Sequence, residues 1–331
     1  MEKIIGIGNA LVDVSATIKD DALLPGIGLT KGSMQLINAD EYAKLSVIMA
    51  SMPLTRTTGG SASNTLLALG HLGASPAFIG KVGTDENGTF YAQSIESFGV
   101  RALLAADNRF HTGVASTFIS PDGERTFGTF LGAAAQMTAS DVTEDMLKGY
   151  TYLYIEGYLV QNHELIEHVA KAAHDMGLKI GLDLASFNIV AADRDFFRHL
   201  LTNYVDIVFA NEEESRAYAG SDPETALSLL AETCETAVVK LGAKGVIVRQ
   251  GDETVQVAAL DVPKVTDTTA AGDYFAGGFL YGKACGCSLK VCAEIGSLLS
   301  GHIIQTIGTA LSESTWEYLR AETTRLMMQE H

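Results

Sequence analysis

Short runs of β-branched and apolar residues recur along the chain, each followed by a longer stretch with helical spacing. Residues 3–7 (KIIGI), 76–80 (PAFIG), 151–155 (TYLYI), 178–183 (LKIGLD), 205–209 (VDIVF) and 236–240 (TAVVK) read as strands. Amphipathic stretches near 61–72, 87–98, 162–176, 191–202 and 222–233 read as helices, and from 270 onward the pattern is largely helical. Strands separated by helices form βαβ units, so the expected class is α/β, a mainly parallel sheet flanked by helices. Ligands of such sheets bind beyond the carboxyl ends of the strands.

Two stretches depart from this rhythm. Residues 10–38 and 112–131 alternate with period two between Gly and Pro turns, and Ser120-Pro121-Asp122-Gly123-Glu124 has the chemistry of a hairpin turn. They are expected to form a small β sheet, either a lid over a cleft or a plain edge extension. The chain then divides into a large α/β domain (1–9, 39–111 and 132–331) and a small β lid (10–38 and 112–131).

Composition narrows the partners. Of 331 residues, 47 % are hydrophobic and 19 % charged, which is ample core material. A formal net charge of -17 argues against nucleic acid as the main partner, though not against a small phosphorylated ligand held by local donors. No uncharged apolar run approaches the roughly 18 residues of a membrane span. MEKIIGIGNALVDVSA reads as a first strand, not a signal peptide. Cys234, Cys285, Cys287 and Cys292 lack metal-ligand spacing and are expected to be small buried thiols in a reduced, cytoplasmic protein. Asn87-Gly88-Thr89 matches a glycosylation pattern but reads as a turn.

Two phosphate-binding signals are missing. There is no G-x-x-x-x-G-K-[ST], and Gly6-Ile7-Gly8 has no third glycine at dinucleotide-binding spacing. A third signal is present at 267–279, DTTAAGDYFAGGF. Asp267, Thr268 and Thr269 are N-cap material for a helix beginning near Ala270. Ala270, Ala271 and Gly272 would leave its first amides unshielded, and bare amides at a helix start attract anions. Asp273 would then stand beside whatever anion is held there, placed to accept a proton from an attacking hydroxyl. Gly277 and Gly278 would let another element pack close. An ordinary capped helix explains Asp267 and Asp273 separately. It does not explain three small residues between them and two glycines after.

This segment resembles the C-terminal signature D-T-x-G-A-G-D of the ribokinase-like (PfkB) carbohydrate and nucleoside kinases, with Ala270 where glycine usually stands. Alanine there is expected to keep φ negative. The resemblance continues through Gly59-Gly60-Ser61-Ala62-Ser63-Asn64, Gly80-Lys81-Val82-Gly83-Thr84-Asp85 with Gly88, Asn211-Glu212-Glu213-Glu214 and Val239-Lys240-Leu241-Gly242-Ala243-Lys244-Gly245, all in the family's order.

It implies a ribokinase-like fold and ATP-dependent phosphoryl transfer to an alcohol. The large domain would bind nucleotide and substrate. Ala270, Ala271 and Gly272 would form the phosphate cradle and Asp273 would be the base. Asn9, Asp13, Gly59, Gly60 and Asn64 would bind substrate. Asn211, Glu214, Lys240, Gly242 and Gly245 would serve the nucleotide, with Glu214 ordering water on Mg²⁺. Asp267 and Thr269 match positions that help hold a monovalent cation such as K⁺. Several of these residues have plainer readings: a capping box for Asn211 and Glu214, an Asx turn for Asn9 and Asp13, a tight turn for Gly59-Gly60, and the helix cap for Asp267 and Thr269. Arg125 reads first as a solvated hairpin residue and second as a group that swings toward the transferring phosphate.

GNALVDVSA (8–16), GGSASNT (59–65), SMQLI (33–37) and IEGYL (155–159) are most similar to the adenosine kinase branch. Adenosine is therefore the expected acceptor, with ribose or fructose as the alternative. Leu36, Phe118 and Phe130 are either walls for a base or lid core. A non-catalytic sensor and an NAD-dependent dehydrogenase on a similar sheet are the competing classes. Retention of Asp273 with the N-x-x-E element weighs against the first, and the missing glycine fingerprint against the second. The resemblance is compatible with a monomer or a homodimer.

Overall fold

The computed structural model describes residues 1–329. Fourteen strands form two sheets. The larger sheet has nine: β1 (Ile4–Ile7), β5 (Ala77–Gly83), β6 (Arg101–Asp107), β9 (Tyr152–Glu156), β10 (Lys179–Asp183), β11 (Ile207–Asn211), β12 (Thr236–Lys240), β13 (Val246–Gln250) and β14 (Glu253–Val257), in spatial order β14-β13-β12-β11-β10-β9-β1-β5-β6. Pairing is parallel from β6 through β12, and antiparallel only where β13 and β14 extend the edge. Ile5 lies between Ala77 and Leu153 in register, which puts β1 inside the sheet, two strands from the β6 edge. Separate apolar cores cover the two faces of this sheet. One gathers Ile7, Leu153, Val169 and Phe197; the other gathers Leu66, Phe78, Phe209 and Phe279. Burial on both faces is why these strands read as continuous apolar runs.

The six expected strands all form, within a few residues of their expected bounds. β6, β13 and β14 were not expected. Arg101–Asp107 reads as helical as readily as extended, and β13–β14 is a hairpin whose outer strand alternates exposed and half-buried positions. The stretch expected as one helix over 191–202 is two, Phe187–Ala192 and Arg194–Asn203, separated by Asp193.

The second sheet has five strands in the order β3-β8-β7-β2-β4: β2 (Leu11–Thr17), β3 (Met34–Leu36), β4 (Thr55–Gly59), β7 (Gly113–Ile119) and β8 (Arg125–Phe130). Its extent corrects the expected boundary. β4 pairs antiparallel with β2, Leu11 opposite Gly59, although 55–59 was assigned to the large domain. The helix Ala39–Met49 also belongs to it, because Leu45 and Met49 pack with Ala16, Ile18, Leu24 and Phe118. Thr-Arg-Thr-Thr-Gly carries no apolar alternation, so β4 announces itself only through pairing. Among the described residues, no helix is long and apolar enough to cross a membrane. The thiols fit their expectation in part: Cys234 and Cys292 are buried, whereas Cys285 and Cys287 are half-buried.

Candidate active site

The helix Ala271–Ala284 has at its start the left-handed residue Ala270 (φ 61°, ψ 7°), and no side chain caps it. This corrects the expectation of negative φ. An L-residue in this region costs about 1–2 kcal/mol, and the chain bears that cost to turn sharply out of the 267–270 loop. Asp267 does cap, but locally: its Oδ1 accepts from Thr269 N at 2.9 Å. Tyr274 N makes the first intrahelical bond, to Ala270 O. The amides of Gly272 and Asp273 have no acceptor among the described residues. Thr268 through Asp273 line a cavity of ≈ 960 Å³, so these two unpaired amides belong to residues of its wall.

Gly277 and Gly278 do what was expected of them. A Cβ on Gly277 would lie 2.8 Å from Thr65 O, and one on Gly278 would lie 2.8 Å from Ile295 O. The helix is thereby pressed between the helices Ser61–His71 and Leu289–Ile303.

Asp273 is the junction of the cavity. Its Oδ1 accepts from Ser61 Oγ at 2.7 Å and its Oδ2 from Asn64 Nδ2 at 2.9 Å. Desolvation raises its pKa to about 6, against the pull of those two hydrogen bonds, which favour the charged form. Asn64 had been assigned to a substrate hydroxyl. It holds Asp273 with its amide nitrogen, while its buried Oδ1 has no partner and remains an acceptor. Gly60 starts this second helix at φ 95°, where a Cβ would strike Asn9 O at 2.2 Å, so only glycine fits.

Asn9 and Asp13 line the same cavity, at the end of β1 and on β2. Asn9 is tied down by Glu156, whose Oε1 accepts from Asn9 N (2.9 Å) and Asn9 Nδ2 (2.6 Å), while Oε2 accepts from Ala62 N (3.0 Å). Burial lifts Glu156 to about 7 and Asp13 to about 6. Gly59 lies outside the lining but backs the site, because a Cβ there would meet Asp13 Oδ1 at 2.3 Å.

Asn211 and Glu214 form the capping box of the helix Glu212–Ala219. Glu214 Oε2 and Oε1 accept from Asn211 N and Nδ2, each at 2.7 Å. Both residues also line the cavity, so the cap and a role at the ligand coexist. Lys240 Nζ donates to Asp183 Oδ2 at 3.0 Å. Gly242 and Gly245 fall outside the lining. They shape the turn after β12, and a Cβ on Gly245 would lie 2.0 Å from Val257 O.

Arg125 is not a solvated hairpin residue. Its side chain is 8 % exposed, and its Nη1 donates to Asp267 Oδ2 at 2.6 Å and to Thr269 Oγ1 at 3.3 Å. Gly308 N donates to the same Asp267 oxygen at 2.8 Å. The place where the sequence put a monovalent cation is thus contacted by the protein's own guanidinium, which an added ion would have to displace. Phe118 is fully buried in the core beside the second sheet and Phe130 stacks on Tyr42 at 4.8 Å, so neither is a cavity wall. Leu36 is one, joined by Met34 and Phe127.

Sequence reasoning missed Ser61, Glu156 and Asp183. Glu156 and Asp183 end their strands on the ligand-binding edge, and that position alone could have marked them.

The pfkB family carbohydrate kinase model matches residues 22–316 of this chain. An adenosine kinase from Sinorhizobium meliloti has a solved structure 35 % identical to it, with a TM-score of 0.87 over 97 % of this chain and 99 % of that one. A probable sugar kinase protein from Rhizobium etli CFN 42 is 33 % identical, with a TM-score of 0.87 over 98 % and 99 %. Adenosine kinase from Saccharomyces cerevisiae is 26 % identical over 95 % of this chain and 98 % of its own length. The competing classes of sensor and dehydrogenase fall away, and the chain belongs to the PfkB family of carbohydrate kinases, phosphotransferases with an alcohol group as acceptor.

Proposed function

We propose that this protein transfers the γ-phosphoryl group of ATP to the 5′-hydroxyl of adenosine. The observation that carries the kinase chemistry is a carboxylate fixed by two side chains beside unshielded helix amides in one cavity. Asp273 accepts the proton of the primary hydroxyl as that oxygen bonds to phosphorus. The bond from phosphorus to the bridging oxygen breaks, and ADP leaves. The amides of Gly272 and Asp273 lie where charge builds on the transferring group and need no reorganisation to meet it.

Mg²⁺, when bound with the nucleotide, neutralises phosphate charge. Among the described residues no cluster of three acidic, His or Cys side chains could hold a metal ion. That fits an ion held mainly by phosphates and water, with Glu214 oriented by Asn211 to order one such water.

A nucleoside acceptor is supported by the far part of the lining. Met137, Leu159 and Ile189 offer apolar faces, and Gln161 offers a polar edge, as a planar heterocycle requires. Asn9 and Asp13, which line the cavity, supply partners for ribose hydroxyls. A free sugar such as ribose or fructose is the second reading, favoured by the likeness to the R. etli probable sugar kinase protein. ADP formation measured with adenosine, ribose and fructose in parallel, with Asp273→Asn as control, separates them. Turnover with adenosine alone is expected; preferential turnover of a free sugar would replace the nucleoside reading.

A further inference from the structure

We propose that Asp183 is a positioning residue for phosphoryl transfer. It holds the Lys240 ammonium over the first turn of the helix Ala271–Ala284, so that this ammonium meets the terminal phosphoryl group. The inference rests on the ATP-dependent reading above, adds Asp183 to its machinery and gives Lys240 a stated contact there.

Asp183 ends β10 and Lys240 ends β12, with β11 between them in the sheet. Their side chains meet across the end of β11 at 3.0 Å, and they are 8 % and 17 % exposed. The other Asp183 oxygen, Oδ1, accepts from Ala185 N at 2.8 Å. Making that bond bends the chain back sharply, and Ala185 adopts φ 63°. Ala185 and Ala270 are the two non-glycine residues with positive φ among the described residues, and both line the cavity. One locks the partner of the ammonium and the other opens the helix start below it. Backbone strain concentrated at two such points is characteristic of a site where geometry is held for function.

A Cβ on Gly272 would lie 2.9 Å from Lys240 Nζ, so the ammonium stands beside the first turn of this helix. An anion held by the amides of Gly272 and Asp273 would lie within its reach. Burial works against the charged Lys240, but the carboxylates of Asp183 and Glu214 outweigh this and hold its pKa above the ordinary value. Without Asp183 the nearby acids left to draw it are Glu214 and Asp273 itself, and pairing with Asp273 would occupy the base.

The test is a double-mutant cycle on Asp183→Asn and Lys240→Met, read by calorimetric binding of the Mg²⁺ complexes of AMP-PNP and ADP and by kcat with adenosine. Each single variant is expected to lose about tenfold or more in AMP-PNP affinity, with ADP affinity within about threefold, and about 10²-fold in kcat. The double variant is expected to be no worse than Lys240→Met, because Asp183 acts through the ammonium. Additive losses, or a lowered melting temperature with unchanged AMP-PNP to ADP preference, would overturn the proposal. Asp183→Glu guards against a variant that fails to fold: it keeps the charge but moves the ammonium, and full retention of both readouts in it would also overturn the proposal. If the unaltered enzyme does not turn over adenosine, the acceptor assignment fails, while the binding cycle still decides the role of Asp183.

Discussion

Two helices begin on the same cavity, and they begin in opposite ways. The helix Glu212–Ala219 closes its own N-terminus: Asn211 Oδ1 accepts from Glu214 N, and Glu214 returns the bond to Asn211 N. The helix Ala271–Ala284 starts on a strained alanine: Thr268 O accepts from Ala271 N at 3.2 Å, and the amides of Gly272 and Asp273 have no acceptor among the described residues. A capped start is stable by itself, whereas an open start with small residues is stable only if neighbours support it. Here Gly277 and Gly278 let two helices pack against it from behind. Open amides next to a fixed carboxylate are what a transferring phosphoryl group requires, so local stability is lower where the chemistry is.

The largest break in this contrast comes from removing the acid. Asp273→Asn is expected to lower kcat about 10³-fold, while binding of AMP-PNP and adenosine by calorimetry changes only a few-fold. Next is Gly272→Ala, which puts a methyl group 2.9 Å from Lys240 Nζ and crowds the open start. About 10²-fold should be lost in kcat/KM, with little change in melting temperature.

The pH dependence follows from the burial of the acids. Asp273 is lifted from 3.8 to about 6 and must be ionised to accept a proton, so kcat should rise with pH up to about 6 and then level. For stability the sign is reversed. Asp13, Glu156, Glu214 and Asp273 all have raised values. Between their ordinary pKa and their raised one, the folded state holds protons that the unfolded state has lost. The four acids outweigh His71, which burial lowers from 6.5 to about 4 and which works the other way in this window, so stability falls as pH rises from about 4 to 7, which urea unfolding across that range measures.

At the capped start the effects are on stability. Asn211→Ala should cost about 1 kcal/mol in urea unfolding. The smallest change is Ala270→Gly. It relieves about 1–2 kcal/mol of left-handed strain and forfeits part of that gain through unfolded-chain entropy. A net gain of about 0.5 kcal/mol with activity kept is expected.

The same contrast shows what the sequence could and could not reveal. The unshielded helix start was legible because its smallness is compositional: Ala270, Ala271 and Gly272 carry at most a methyl group to shield an amide. The sheet was legible where strands are buried on both faces, as in β9 through β12. β4 was not, since TRTTG owes its strand state to pairing with β2. The sign of φ at Ala270 was not legible either, because the loop before it sets that angle. Arg125 was misread because a charge in a Pro-Asp-Gly turn looks solvated, and only the tertiary fold brings Asp267 to within 2.6 Å of it. Glu156 and Asp183 lie at apolar strand ends with no local motif, and their partners are far away in sequence.

The central claim is that the amides of Gly272 and Asp273 receive a terminal phosphoryl group. Backbone ¹⁵N–¹H resonances of these two residues, followed while Mg²⁺·AMP-PNP and then Mg²⁺·ADP are titrated in, test it most directly. The account predicts large downfield shifts with AMP-PNP and much smaller ones with ADP, as a charged acceptor arrives only with the third phosphate. Unmoved resonances at saturating AMP-PNP would contradict it.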